Sequence, residues 1–222
     1  MKLNNIDLIA IDCNHPEEAI HALNISSKNI EFGRVILFTD SKKESFSHID
    51  TDNVEFMRIP KIKSADEYQD FCLRLTYFLD NQYALLIQHD GFILNANLWN
   101  HKFLDYDYIG APWTKEDGNT WCTNTRVGNG GFSLRSKKFL LYSSIFGTTN
   151  GVNEDYFLTN VGYQYAVKRG IKFADIKTAI EFSFEKPCND LEYESFNPSN
   201  HFGFHGLNNL DIALDYVKEV EV

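Results

Sequence analysis

The sequence predicts an α/β fold on a mainly parallel sheet, and three features point there. Short apolar runs alternate with helical patterns through the first half, the mark of strand–helix units that feed parallel strands. The 222 residues are 43% hydrophobic and 14% aromatic, enough for one sizeable core and too few for two full domains. After residue 90 the rhythm shifts to shorter strands, so a single domain, 1–222, divides into halves at about 1–95 and 96–222.

The first half predicts strands at Leu8 to Ile11, Arg34 to Thr39, Val54 to Ile59 and Tyr83 to His89. Between the last two lies the clearest helix. Ser64 followed by Glu67 reads as a capping box, and Tyr68, Phe71, Cys72, Leu75, Phe78 and Leu79 recur at helical spacing, a pattern that core packing explains. The second half predicts strands at Tyr108 to Ala111, Phe132 to Leu134 and Ala179 to Phe184. Helices are predicted at Lys137 to Ile145, Glu154 to Arg169 and Leu210 to Glu219. Thr114 to Arg126 is polar and aperiodic and reads as a long loop of the kind that often serves as a lid.

Charge and composition narrow the function. Lys plus Arg total 21 against 31 Asp plus Glu, a formal net charge of −10 with no long run of either sign. That balance excludes nucleic acid as the expected partner and disfavours an anionic membrane surface. The four cysteines are scattered without a C-x-x-C pair, as expected for thiols in a reducing cytosol. The N-terminus lacks a signal-peptide pattern, and no apolar run approaches the roughly 18 residues of a membrane span. A cytoplasmic location is expected, and the sequence leaves the oligomeric state open.

Residues able to carry chemistry gather in four places. In ALLIQHDGFI, residues 84–93, a buried strand delivers Gln88, His89 and Asp90 to its carboxyl end, where Gly91 lets the chain turn. Ligands of open α/β sheets bind outside the carboxyl ends of the strands, and an aspartate there can hold a divalent cation that neutralises a diphosphate. A plain β-turn accounts for the same Asp-Gly pair. In VGNGGFSLRS, residues 127–136, Gly128, Gly130 and Gly131 permit close backbone approach to a ligand, and Asn129 offers an amide to sugar hydroxyls. The segment fits neither a Walker A loop nor a Rossmann fingerprint. Arg135, with Arg126 and Lys137 nearby, is a candidate phosphate partner, though each also suits a solvated surface. Asn153 reads as an N-cap, with Glu154 and Asp155 at the positive end of a helix; one of these acids is a candidate catalytic base kept ionised by the dipole. Near the C-terminus, His201-Phe202-Gly203-Phe204-His205-Gly206 sets imidazoles among aromatics and glycines. With Asp90 such an imidazole would favour Mn²⁺ over Mg²⁺.

Taken in order, QHDGFIL, DYDYIGAPW (Asp105 to Trp113), VGNGGFSLRS, NEDYF (Asn153 to Phe157) and FGFHG (Phe202 to Gly206) resemble a family of bacterial, viral and fungal glycosyltransferase-like proteins known mainly as a domain of unknown function. The likeness spans roughly residues 30–206. It implies the GT-A fold, with a smaller antiparallel element on the acceptor side, so that 1–95 becomes a nucleotide-binding half and 96–222 an acceptor-side half.

The resemblance also assigns roles. Asp90 and His205 would bind the metal, Mn²⁺ or Mg²⁺. Gln88 and His89 would lie on the donor, with Asp12 and Asp40 at the nucleoside base and Arg74 as a further donor contact. Only one aspartate remains where GT-A enzymes usually carry D-x-D. Asp155 would be the base of an inverting transfer, with Glu154 second. Gly130 and Gly131 would wall the donor sugar, and Trp113 and Trp121 could stack on sugar faces or simply pack. The expected ligands are a nucleotide-sugar donor, UDP by preference, and a glycan acceptor. Two alternatives stay open at this level. A sugar-phosphate nucleotidyltransferase would need a glycine-rich basic loop after the first strand, which Asp12 to Glu18 lacks. A non-catalytic nucleotide-sugar-binding module or assembly scaffold would bind without turnover.

Overall fold

Strands β1 (Lys2–Ile11), β2 (Glu31–Thr39), β3 (Glu55–Arg58), β4 (Tyr83–Ile87), β5 (Tyr108–Gly110) and β6 (Phe132–Ser136) form one sheet in the order β3-β2-β1-β4-β6-β5. The computed structural model describes residues 1–113, 124–188, 191 and 195–220. The pairs β1–β2, β1–β4 and β2–β3 are parallel, whereas β6 runs antiparallel to both β4 and β5. The fold is the mainly parallel α/β architecture expected, and its antiparallel element is built into the main sheet. Strands from both halves of the chain share that sheet. A second sheet, β7 (Ser183–Phe184) with β8 (Gly203–Phe204), has two parallel strands.

The strands alternate because the sheet is covered on both faces. Leu8, Ala10, Leu85 and Ile87 pack toward α1 (Pro16–Ser27) through Ala19, Ile20 and Leu23. Ile9, Ile11, Ala84 and Leu86 pack on the other face with Cys72, Leu75 and Leu79, the stripe read from the sequence. Helix α1 starts at Pro16, with Glu17 and Glu18 in its first turn, as the missing proline N–H and the helix dipole favour. Helix α2 (Ala65–Cys72) is capped by Ser64 Oγ, which accepts from Glu67 N–H at 3.2 Å, while Glu67 Oε2 accepts from Lys63 N–H at 2.6 Å. The cap is therefore reciprocal but reaches back one residue further than a standard box.

Three expected elements differ. Ala179 to Phe184 is mostly helix α6 (Ile176–Phe182), and only Ser183–Phe184 are strand. Asp175 decides this, since its carboxylate accepts from Thr178 N–H at 2.9 Å and so caps a helix whose Ala179 and Phe182, three apart, share one buried face. The helix expected over Glu154 to Arg169 is broken into α4 (Glu154–Tyr156), a π turn over Phe157–Val161, and α5 (Tyr163–Lys168). Tyr142, on α3 (Lys137–Ser143), reaches the break and donates its hydroxyl to Gly162 O at 3.0 Å. The C-terminal helix α7 (Leu207–Val220) begins three residues earlier than expected. The long loop expected over 114–126 lies largely outside the described residues.

Behind the small sheet, Phe103, Phe132, Phe182 and Phe202 form a buried aromatic cluster. Gly203 leaves room for it: a Cβ there would lie 2.1 Å from Phe132 Cζ. Gly203→Ala should therefore overpack the core and destabilise the protein by about 1–3 kcal/mol, read as a lower urea midpoint at an unchanged slope.

Candidate active site

The sheet turns back on itself at β1. The chain leaves β1 through α1 to β2 on one side, while β4 pairs on the other, so a crevice opens at the carboxyl ends of β1 and β4. Asp12, just past β1, and His89, just past β4, meet across it: His89 Nδ1 lies 3.1 Å from Asp12 Oδ2. The other Asp12 oxygen accepts from Asn14 and His15 N–H at 2.8 and 2.6 Å, and the His15 ring stacks on His89 at 4.7 Å. Burial works to raise the Asp12 pKa, but the His89 hydrogen bond and the two backbone donors hold it below its ordinary value. The Asp12 hydrogen bond raises that of His89 against its burial. A cavity of about 390 Å³ opens here, lined by Asp12, Asn14, His15, Lys63, Tyr68 and Gln88 among others.

A second cavity, about 220 Å³, adjoins the first through Tyr68 and Gln88, which line both. Gln88 spans the junction, its Nε2 donating to Tyr68 Oη at 2.8 Å and its Oε1 lying 2.9 Å from His205 Nε2. The same His205 Nε2 is 3.4 Å from Asp90 Oδ1, a buried oxygen with no hydrogen-bond partner. Residues 90 and 205 thus meet, although 115 positions separate them. The parallel pairing of Phe184 with Phe204 sets Glu185 beside His205, with Glu185 Oε1 3.5 Å from His205 Nδ1. Asn209 donates to the carbonyls of both residues, fixing them together. Burial alone would lower the His205 pKa, but Asp90 and Glu185 lift it to about 9; burial would raise that of Asp90, but His205 holds it low.

Asp90 Oδ1, His205 Nε2 and Gln88 Oε1 form a donor set that fits a divalent cation, which would displace the proton that His205 carries without it. Neighbouring ligands around a cation with bonds of 2.0–2.1 Å are roughly 3 Å apart, comparable to the 2.9 and 3.4 Å separations here. Among the described residues no three His, Cys, Asp or Glu side chains cluster as a ready metal site, so ligand oxygens or water would have to complete the shell. Glu185 beside Nδ1 is the carboxylate that would orient the imidazole.

The far wall is a buried ion pair. Arg135 is fully buried, and its Nη1 and Nη2 lie 2.5 and 3.3 Å from the two Glu154 oxygens; its Nε donates to Ser133 Oγ at 2.9 Å. Glu154 is thereby held at the cavity wall by its ion pair, and its neighbour Asp155, which has no such partner among the described residues, lines the same cavity. Asp155 accepts from Gly130 N–H at 3.0 Å and from Tyr156 N–H at 2.7 Å. Burial and then the Glu154 charge push its pKa up to about 6. The two glycines between the groups make room. A Cβ on Gly130 would lie 3.1 Å from Asp155 Cβ, and one on Gly131 would lie 2.2 Å from His205 Nε2.

A family model described as Protein of unknown function (DUF5672) matches residues 52–205, which include every residue that lines the second cavity. The chain belongs to the DUF5672 family. No curated protein matches the sequence. Among solved structures, the DUF5672 chain is similar to the galactosyltransferase LgtC, crystallised with donor and acceptor sugar analogs. The identity is 11% and the TM-score 0.63, over 96% of this chain and 95% of that one. A structure of an LgtC active-site mutant gives 12% identity and a TM-score of 0.57, over 97% and 95%. A glycosyltransferase involved in glycosylation of the major capsid of PBCV-1 gives 10% and 0.50, over 97% and 98%. At these identities the likeness establishes the GT-A fold of the DUF5672 chain.

Several expected site residues are placed otherwise. Arg135, expected as a phosphate partner, lines the second cavity, but its guanidinium is bound to Glu154, Ser133 Oγ and Gly130 O. Glu154, the second candidate base, has both its oxygens bound by Arg135. Arg126 donates to Trp113 O, and Lys137 Nζ donates to the carbonyls of Thr76 and Leu79. Arg74 is exposed after the break that follows α2, and neither it nor Asp40 lines either cavity. Trp113 packs over Gly128, where a Cβ would lie 2.3 Å from its ring, and against Tyr156. Trp121 lies outside the described residues. The helix dipole expected to keep Asp155 ionised is outweighed, since burial and then the Glu154 charge raise its pKa. Glu185 and Tyr68 were not legible as site residues: Glu185 follows a run read as strand, and Tyr68 belongs to a helical stripe that core packing explains.

The ion pair and the raised pKa make different stability predictions. Glu154→Gln leaves Arg135 buried without its counter-charge and should cost about 3–5 kcal/mol. Asp155→Asn should instead remove a pH dependence, while its amide nitrogen gives up one of the two backbone hydrogen bonds that the carboxylate accepts. A carboxyl whose folded pKa is raised contributes stability below its unfolded value, and that contribution is lost as pH rises through about 6. Melting temperatures between pH 4 and pH 8 check both, and the Asp155→Asn curve should be the flatter one.

Proposed function

We propose that this protein is a glycosyltransferase that moves a sugar from a nucleoside-diphosphate donor, UDP by preference, onto a hydroxyl of a glycan acceptor, with inversion. One observation carries the reading: Gln88, His205 and Asp155 face one cavity that opens into a larger one at the switch point of a GT-A sheet. The larger cavity suits the nucleoside, and the smaller suits the sugar and diphosphate. Asp90 and His205 would hold Mn²⁺ or Mg²⁺, with Gln88 Oε1 beside them. When bound, such a cation neutralises the diphosphate and stabilises the charge that develops as it leaves.

The chain's own part is to hold and move a proton. Asp155 accepts the acceptor hydroxyl proton at its carboxylate while the oxygen attacks the anomeric carbon. A pKa of about 6 serves this role: the group is mostly ionised at neutral pH, yet more basic than an ordinary aspartate. The Gly130 and Tyr156 amides fix its orientation, and the Arg135–Glu154 pair fixes the loop behind it.

Two measurements test the reading. Asp155→Asn should retain nucleotide-sugar binding and lose at least about a hundredfold in kcat, the scale of general-base catalysis. In the wild type kcat/KM should rise with pH through an apparent pKa near 6. Transfer at the normal rate by Asp155→Asn would remove the base assignment. A thermal-shift screen of nucleoside diphosphates should give a response that requires Mn²⁺ and vanishes in Asp90→Ala. A metal-independent response, equal in both proteins, would remove the metal assignment.

A further inference from the structure

The charges that line the smaller cavity restrict the sugar it can accept, given the glycosyltransferase reading proposed above. Three carboxylates line it, Glu154, Asp155 and Glu185. Arg135 neutralises the first and has its guanidinium committed to Glu154, Ser133 Oγ and Gly130 O. Among the described residues no other Lys or Arg lines the cavity. Lys137 and Arg126, which the sequence offers nearby, are tied to backbone carbonyls elsewhere. His205, the remaining basic group, already lies between Asp90 and Glu185.

Apart from the Tyr68 hydroxyl, which accepts from Gln88, the rest of the polar side-chain lining is amide. Asn129 Oδ1 accepts from Gly131 N–H at 3.0 Å, and Gln69 Oε1 accepts from Thr149 Oγ1 at 3.2 Å, so what these side chains offer a ligand is N–H donors. Asn153 stands exposed at the rim and makes no capping hydrogen bond. Neutral amide donors and carboxylate acceptors match sugar hydroxyls, which both donate and accept. A bound cation would be taken up by Asp90 and the donor diphosphate, and His205 is flanked by Asp90 and Glu185. A sugar carboxylate would therefore have to shed water and enter beside Asp155 with no counter-charge of its own.

We propose that the donor carries an uncharged hexose-type sugar, and that this cavity rejects a hexuronate or other sugar acid. The selectivity comes from absent counter-charge and not from size, because a hexose and its uronate differ little in shape. A cation introduced at the rim should therefore relax it.

Isothermal titration of the full chain in Mn²⁺ tests this with matched ligands: UDP, UDP-glucose and UDP-glucuronate, then GDP, GDP-mannose and GDP-mannuronate. For the nucleotide that binds, the uronate should bind at least about fivefold more weakly than the hexose. A smaller gap, or a reversed one, overturns the proposal while leaving the glycosyltransferase reading intact. Failure of both free diphosphates to bind would remove that reading and this one with it. Asn153→Lys should narrow the gap by about threefold or more; an unchanged gap in the folded variant would mean that charge does not discriminate, and would also overturn the proposal.

Discussion

The buried pair of Arg135 and Glu154 is the interaction on which the site depends. Arg135 lies on β6, in the central sheet, and Glu154 opens α4, so their bidentate contact ties the loop bearing Asp155 to the rigid body of the fold. Two charges removed from water are tolerated because each supplies what the other lacks, with Ser133 Oγ and Gly130 O taking further guanidinium donors. The consequence falls on Asp155. It lies next to a fixed negative charge, in a place poor in water, and so holds its proton more tightly than a surface aspartate.

The opposite side of the site is built by a different device. Two strands of two residues each, β7 and β8, pair in parallel, and the residues that follow them, Glu185 and His205, come to rest side by side. Gly131 then brings the β6 loop against the imidazole, and Gln88 and Asp90 arrive from the end of β4. Groups from four distant stretches of chain share one small volume, and the backbone of the two central glycines separates the base from the histidine. The glycines of this loop serve side-chain room: none has a positive φ, and among the described residues the positive-φ glycines lie elsewhere, at Gly151, Gly170 and Gly206.

Much of the fold was legible because local signals agree with burial. β1, β2 and β4 are apolar runs covered on both faces, and Ser64 with Glu67 starts α2 by hydrogen bonds that sequence spacing alone implies. Ala179 to Phe184 misled because short apolar runs suit a strand or a helix equally, and the deciding group, Asp175, acts as a cap from outside the run. Arg135 misled for a related reason. A basic residue beside a glycine-rich loop reads as a ligand contact until the fold supplies a buried carboxylate 19 positions away.

The sequence by itself determined the mainly parallel α/β class, the delivery of Gln88, His89 and Asp90 to a strand end, and the list of acids and imidazoles able to act. These follow from periodicity and from the chemistry of single side chains, which a linear pattern records. Only the tertiary structure decided which members of that list meet: Asp90 with His205, His205 with Glu185, Arg135 with Glu154. Those pairings depend on strand order and crossover direction, which set distances between residues far apart in the chain. The proton affinity of Asp155 depends on them in turn, because burial and neighbouring charge are properties of the folded neighbourhood and not of the residue.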